Sequence, residues 1–400
     1  DRIVIGLFWK IFTILGRRFM EADLIDLTRN SSLQEWISLS APKEPIWVCD
    51  TESRVVRIAK DILSVLIFPI GIARVLHRIV GNFIVPAARI TKGLAILSFV
   101  AKIPVLGTFA AALKTEIEDV VKQKFNESLR DWNVQRVAIH VDGRVVDAAI
   151  VTRKAKVDIE GTTDEATKVR ESRWTLISGG NGEYIQFLSH LNVVGCLQSN
   201  AVYYNYPGVM GSTGNPSRST IAKTSRVMLQ FLQGPLHARQ IIWYGHSLGG
   251  GVQEAFSDHY RGTNYCLVKS RTFSQLSKVV QDMFGGYRII RILVQVLGWN
   301  MNPLASVQRE EVHQVILQTA SISDQIIGDT VISKEASLAV ACEANDQTAI
   351  LPIREWHNEQ LQDKDYHVKD GDQEINYIGT LKRLKEAVNK FLATNLNVQA

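Results

Sequence analysis

The stretch Ile241-Ile242-Trp243-Tyr244-Gly245-His246-Ser247-Leu248-Gly249-Gly250-Gly251 decides how this chain is read. Four apolar, β-prone residues run straight into Gly-x-Ser-x-Gly, and a helix-compatible stretch follows. A strand that turns sharply into a helix strains the backbone of the residue at the corner. Gly245 and Gly249 stand two residues either side of Ser247, and their missing Cβ atoms let strand and helix fold past each other. The corner then presents the serine hydroxyl as a nucleophile. Bare Gly-x-Ser-x-Gly also occurs in ordinary glycine-rich loops; the strand in front of it sets this one apart.

Composition narrows the class. At 400 residues, two domains are the natural expectation. Hydrophobic content of 46% against 21% charged residues is that of a globular protein with a large core. Cys49, Cys196, Cys266 and Cys342 are widely spaced with no C-x-x-C pair, so free thiols in a reducing compartment are expected rather than disulfides or zinc. The first residue is Asp1 rather than Met, so a fragment of a longer chain is expected.

The net charge of +5 is unevenly placed. Between Arg54 and Lys114 nine basic residues face the single acid Asp61, a local +8, which leaves −3 for everything else. The same segment holds the apolar runs Ile62 to Ala73, Ile79 to Ala88 and Gly93 to Leu113, the last interrupted by Lys102. None reaches the about 18 uninterrupted apolar residues of a membrane span, and Pro69, Pro86 and Pro104 break them further. Arginines spaced among aliphatic runs suit helices lying in an anionic membrane surface; a helical domain packed on itself is the alternative. Nucleic acid is not an expected partner, because no binding module or aromatic interleaving accompanies the charge.

Past residue 115 the pattern sharpens. Thr115 to Trp132 reads as a connecting helix. Val134 to His140 and Arg144 to Val151 flank Asp142-Gly143, a hairpin signal. Strands follow at Trp174–Ile177, Ala201–Tyr204, Tyr265–Val268, Gln314–Gln318 and Ala349–Ile353, alternating with helical stretches, which implies a mainly parallel sheet. A final helix is marked by Ile375, Ile378, Leu381, Leu384, Val388 and Phe391.

From about Val134 onward the chain resembles the α/β-hydrolases of the serine esterase, lipase and peptidase superfamily. Within it, Asn205-Tyr206-Pro207-Gly208-Val209-Met210-Gly211-Ser212-Thr213-Gly214 and Gly-His-Ser-Leu-Gly-Gly-Gly together resemble the chlamydial CHLPS proteins. That family is bacterial, carries an apolar N-terminal region and has no settled biochemical role. The resemblance implies an α/β-hydrolase fold over 134–400, a mostly parallel sheet with helices on both faces. Ahead of it come an apolar, basic helical region at 1–114 and a connecting helix at 115–133.

In that superfamily the chain order is serine, acid, histidine. The resemblance makes Asp324, just past the Gln314–Gln318 strand, the expected acid, with Asp329 as runner-up. His357, after the Ala349–Ile353 strand, is the expected base, with His367 as the alternative; His246 points elsewhere on the turn. The oxyanion donors are expected to be the N–H of Leu248 and one from Ser178-Gly179-Gly180-Asn181-Gly182, Asn181 before Gly180. An apolar insertion around 275–310 is expected to act as a cap over the site or as a structural helix. No metal constellation or cofactor fingerprint is present in the sequence.

Together these readings predict a serine hydrolase of carboxylic esters or thioesters, with a small-molecule or lipid-like substrate. Its expected place is membrane-associated or cytoplasmic, or that of a secreted bacterial effector. The competing expectation is a hydrolase scaffold that only binds, because fold and chemistry are separable.

Overall fold

The computed structural model describes residues 26–27, 29–38, 40–49, 119–154, 172–255, 264–307, 312–321, 323–363, 365–370 and 373–398. The basic apolar segment Arg54–Lys114 and the first 25 residues therefore lie outside the described residues.

In chain order the elements are α1 (Leu33–Ile37), β1 (Pro45–Cys49), α2 (119–128), β2 (Trp132–Val141), β3 (Arg144–Arg153), β4 (Arg173–Ser178), α3 (Leu191–Cys196) and β5 (Asn200–Tyr204). Then come α4 (Arg218–Gln233), β6 (Gln240–His246), α5 (Leu248–Val252), β7 (Asn264–Ser270), α6 (Leu276–Met283), α7 (Arg288–Val296), α8 (Leu304–Val307) and β8 (His313–Thr319). The chain closes with α9 (Leu338–Ala341), β9 (Thr348–Ile353), β10 (Tyr366–Asp370), β11 (Gln373–Tyr377) and α10 (Thr380–Val398).

Nine of the described strands form one mixed, mostly parallel sheet in the order β1-β2-β3-β5-β4-β6-β7-β8-β9. The β2–β3 hairpin turns through Asp142 (φ 51°) and Gly143 (φ 71°), the pair of left-handed residues a two-residue hairpin demands. From β5 to β9 every neighbouring pair is parallel. Such strands are buried on both faces and need no polar alternation. In β6, Ile241 and Trp243 enter one core and Ile242 and Tyr244 the other. Helix α4 covers the first core with Val227, Met228 and Phe231, while α3 and α10 cover the second with Val193, Leu384 and Val388.

Two expectations change. Residues 45–49 are not part of a separate N-terminal unit: β1 extends the sheet by pairing parallel with β2. The buried Arg136–Asp147 pair, at 2.7 Å, ties α1 to the same edge, because Arg136 Nη1 also donates to the carbonyls of Glu35 and Ser38. Ile375 belongs to β11 rather than to the last helix, which begins at Thr380; a β10–β11 hairpin fills the gap.

The strand order places the site. After β4 the chain returns to β5 on one side, and after β6 it proceeds to β7 on the other. Where connections diverge in this way, the carboxyl ends of the strands open onto a crevice. The loops leaving β4 and β6 meet there.

Candidate active site

Ser247 is the corner between β6 and α5, with φ 51° and ψ −114°, a conformation L-residues rarely adopt. Its N–H donates to the Ser270 carbonyl at 2.9 Å, and its own carbonyl accepts the Thr272 hydroxyl at 2.7 Å, so β7 and the residues after it hold the strained turn. The flanking glycines are sterically required. A Cβ on Gly245 would come within 2.5 Å of the Gly249 backbone, and one on Gly249 would fall inside the Ser178 carbonyl.

The serine hydroxyl meets His357. His357 Nε2 lies 2.9 Å from Ser247 Oγ, and its Nδ1 lies 2.9 Å from an Asp329 oxygen. All three residues are buried at this contact. Asp329 Oδ1 is held by the N–H groups of Val331 (2.9 Å) and Ile332 (2.7 Å), which leaves Oδ2 for the imidazole. Burial pushes the Asp329 carboxyl up, but the hydrogen bond and charge of His357 and the two backbone donors outweigh it and hold it below the usual range. An ionised carboxylate only accepts, so Nδ1 carries the proton and Nε2 is free to accept from the serine.

Asp324, the acid expected from sequence, is elsewhere. It is exposed and pairs with Arg354 at 2.5 Å. The chain leaving β8 folds back on itself: Ala320 bridges Ile326, and the Ile327 N–H returns to the Thr319 carbonyl. Asp324, with φ 60°, sits on that excursion, and only after the chain has come back does Asp329 reach His357. His367 lies in β10, paired with Asn376 of β11.

The loop after β4 also differs from expectation. Asn181 is exposed, and Gly180 is the residue beside the serine, since a Cβ there would be 3.4 Å from Ser247 Cβ and 2.9 Å from the His246 ring. Its N–H is engaged, donating to Glu183 Oε2 at 2.5 Å. The other Glu183 oxygen lies 3.2 Å from His190 Nε2. Leu248 opens α5, so its N–H has no acceptor within that helix. The His246 side chain packs between the rings of His190 and His357, with centroids 5.0 and 5.1 Å away. Burial is the main reason its pKa falls well below the ordinary histidine value.

Residues 45–369 match the family model described as Chlamydia CHLPS protein (DUF818). The chain belongs to that family. A search of curated proteins finds no match. Among solved structures, an esterase from Pyrococcus furiosus is similar at 11% identity and a TM-score of 0.42, covering 67% of this chain and 92% of that one. An α/β-hydrolase from Vibrio vulnificus is similar at 12% identity and a TM-score of 0.42, covering 60% and 80%. The ferulic acid-bound Est1E of Butyrivibrio proteoclasticus is similar at 13% identity and a TM-score of 0.43, covering 65% and 99%.

Two further features of this CHLPS chain escaped the sequence reading. Arg271 is fully buried and donates to the carbonyls of Trp356 (2.5 Å) and Glu359 (2.8 Å), bracing the loop that carries His357. Glu355, also buried, takes the Gln362 N–H and the Thr380 hydroxyl and ties the same loop to α10. A charge that supports a loop from below leaves no local motif. The insertion expected at 275–310 forms the α6–α7 hairpin, whose Met283, Phe284, Tyr287, Ile289, Ile292 and Val296 are exposed. Among the described residues no cluster of His, Cys, Asp and Glu is arranged to hold a metal, and no helix is long and apolar enough to cross a membrane.

Proposed function

We propose that this protein hydrolyses a carboxylic ester or thioester, with Ser247 as nucleophile, His357 as base and Asp329 as the acid that orients it. The observation carrying this reading is the unbroken hydrogen-bonded chain from Ser247 Oγ through His357 to Asp329, built from the ends of β6, β9 and β8. Ser247 Oγ attacks the carbonyl carbon as His357 Nε2 takes its proton. Asp329 stabilises the imidazolium, and His357 then gives the proton to the departing alcohol or thiol. Water repeats the sequence on the acyl-enzyme and frees the acid and the serine. The growing oxyanion is served by the N–H groups of Leu248 and Gly180.

A lipid-like substrate is supported by the apolar outer face of the α6–α7 hairpin. The sequence adds the +8 segment between Arg54 and Lys114, which suits an anionic membrane surface.

Labelling with a fluorophosphonate and hydrolysis of short- and long-chain p-nitrophenyl esters test the reading. Ser247→Ala is expected to abolish labelling and lower turnover about 10³–10⁶-fold with the fold intact. Equal labelling of wild type and Ser247→Ala overturns the serine assignment. Absence of both activities points to a binding scaffold instead.

A further inference from the structure

Resting on the hydrolase reading, we propose that Glu183 is a gate on the oxyanion site, occupying the Gly180 N–H until it swings to a second seat beside Tyr203 and His190. The backbone N–H of Gly180 has one hydrogen, and Glu183 Oε2 takes it at 2.5 Å. An oxyanion forming on the Ser247 adduct needs the same donor, because Gly180 is the residue packed against the serine. Both acceptors are anionic, so they compete for one hydrogen and repel each other. Glu183 is therefore a positioning residue: it acts on the reaction through the Gly180 donor.

Protonation does not open this gate. Burial pushes the Glu183 carboxyl up, but His190, then His246 and the Gly180 N–H, hold it well below the usual range. The carboxylate stays charged and must move. The structure offers a place for it. Glu183, His190, Tyr184, Tyr203 and Tyr206 line one small pocket beside Gly179. Tyr203 is buried there, and its hydroxyl has no hydrogen-bond partner among the described residues. Leaving a buried donor without an acceptor is unfavourable, and an arriving carboxylate would satisfy it. Glu183 already lies close enough for its charge to add to the burial that raises the Tyr203 phenol. His190 Nε2 lies 3.2 and 3.4 Å from the two Glu183 oxygens, so the pair survives a turn of the carboxylate. Closed, Glu183 bridges His190 and Gly180; open, it bridges His190 and Tyr203.

The test uses the full chain, a fluorophosphonate and a short-chain p-nitrophenyl ester, with Glu183→Ala, Glu183→Gln, Tyr203→Phe and the Glu183→Ala/Tyr203→Phe double variant. Glu183→Ala is expected to raise the labelling rate and kcat about tenfold or more with KM little changed, within the 10²–10³-fold worth of one oxyanion donor. Glu183→Gln, a neutral acceptor of the same size, should fall between wild type and Glu183→Ala, and it carries the test should the alanine variant fail to fold. Tyr203→Phe should slow both readouts several-fold, and the double variant should behave like Glu183→Ala, because Tyr203 acts only through Glu183. A Tyr203 with a merely structural role would instead slow the double variant as well. Labelled wild type with unchanged or slower Glu183 variants overturns the gate and leaves the hydrolase standing. No labelling of wild type or of any variant overturns both.

Discussion

Replacing Asp329 by Asn tests the geometry most severely, because the structure dictates how the amide must sit. The Val331 and Ile332 N–H groups point at Oδ1 from 2.9 and 2.7 Å, and only an oxygen can accept them. The amide introduced by Asp329→Asn would therefore keep its carbonyl there and turn its NH₂ toward His357. Facing a donor, His357 Nδ1 must become the acceptor, and its proton moves to Nε2. Nε2–H then confronts Ser247 Oγ, 2.9 Å away, as a donor that cannot take the serine proton. The imidazolium also loses its buried counter-charge. A serine hydrolase with this wrong tautomer loses about 10⁴ in kcat, about 5 kcal/mol of transition-state stabilisation. The expected result is a kcat loss of about 10³–10⁴ with KM nearly unchanged, read from p-nitrophenyl ester hydrolysis. Asp324→Asn is the control: an exposed side chain that does not contact Ser247 or His357 should change kcat less than about twofold. A tenfold or smaller loss in Asp329→Asn, or a large one in Asp324→Asn, would refute the assignment.

Two further outcomes concern stability. Asp329 and Glu183 both titrate below the ordinary carboxylate range when folded, so the unfolded chain takes up protons first as pH falls. Their stabilisation is complete above the unfolded values, about 3.9 for Asp and 4.3 for Glu, and drains as pH drops from there toward the folded ones. Melting curves from pH 7 to 3 should show a flatter acid limb in Asp329→Asn and Glu183→Gln, and an unchanged limb would contradict the pairing with His357 and His190. Asp147→Ala strands the fully buried Arg136 guanidinium and also releases Asn205 Nδ2 and the Gly211 N–H. Urea unfolding should show a loss of about 3–5 kcal/mol, and a loss below about 1 kcal/mol would mean the pair is not buried as described.

How legible each part was depended on whether its cause is local. The corner at Ser247 was readable because sterics act between residues two apart: Gly245 and Gly249 are small for the reason the motif suggests. The β2–β3 turn was readable for the same reason, since Asp142-Gly143 alone supplies two left-handed residues. The contact of His357 with Ser247 is legible because His357 follows β9 by only a few residues. Which aspartate meets His357 is not legible in the sequence, because the Ala320–Ile326 excursion that carries Asp324 away is held by backbone hydrogen bonds with no side-chain signature. That Gly180 rather than Asn181 packs against Ser247 depends on how the loop after β4 folds, which its residue types do not reveal. Strand β1 was hidden because its partner β2 lies more than eighty residues away along the chain.

The row of rings at the site has an electrostatic logic that ties these pieces together. His190, His246 and His357 stand about 5 Å apart, with Glu183 at one end and Asp329 at the other. His190 and His357 each pair with a carboxylate, whereas at His246 burial outweighs the nearby Glu183 charge and sets the pKa well below the ordinary histidine value. In the proposed mechanism a second cation beside His357 would oppose the imidazolium that forms when the serine proton arrives, by several kcal/mol at this distance and an effective dielectric near 20. A neutral ring there avoids that opposition while filling the space and walling Gly180 on its inner side. His246, next to Ser247 in sequence, is thus unsuited to be the proposed base for the same reason that it suits its place: burial disfavours its charged form. In the proposed mechanism the base is instead the histidine that a late strand brings to an ionised aspartate.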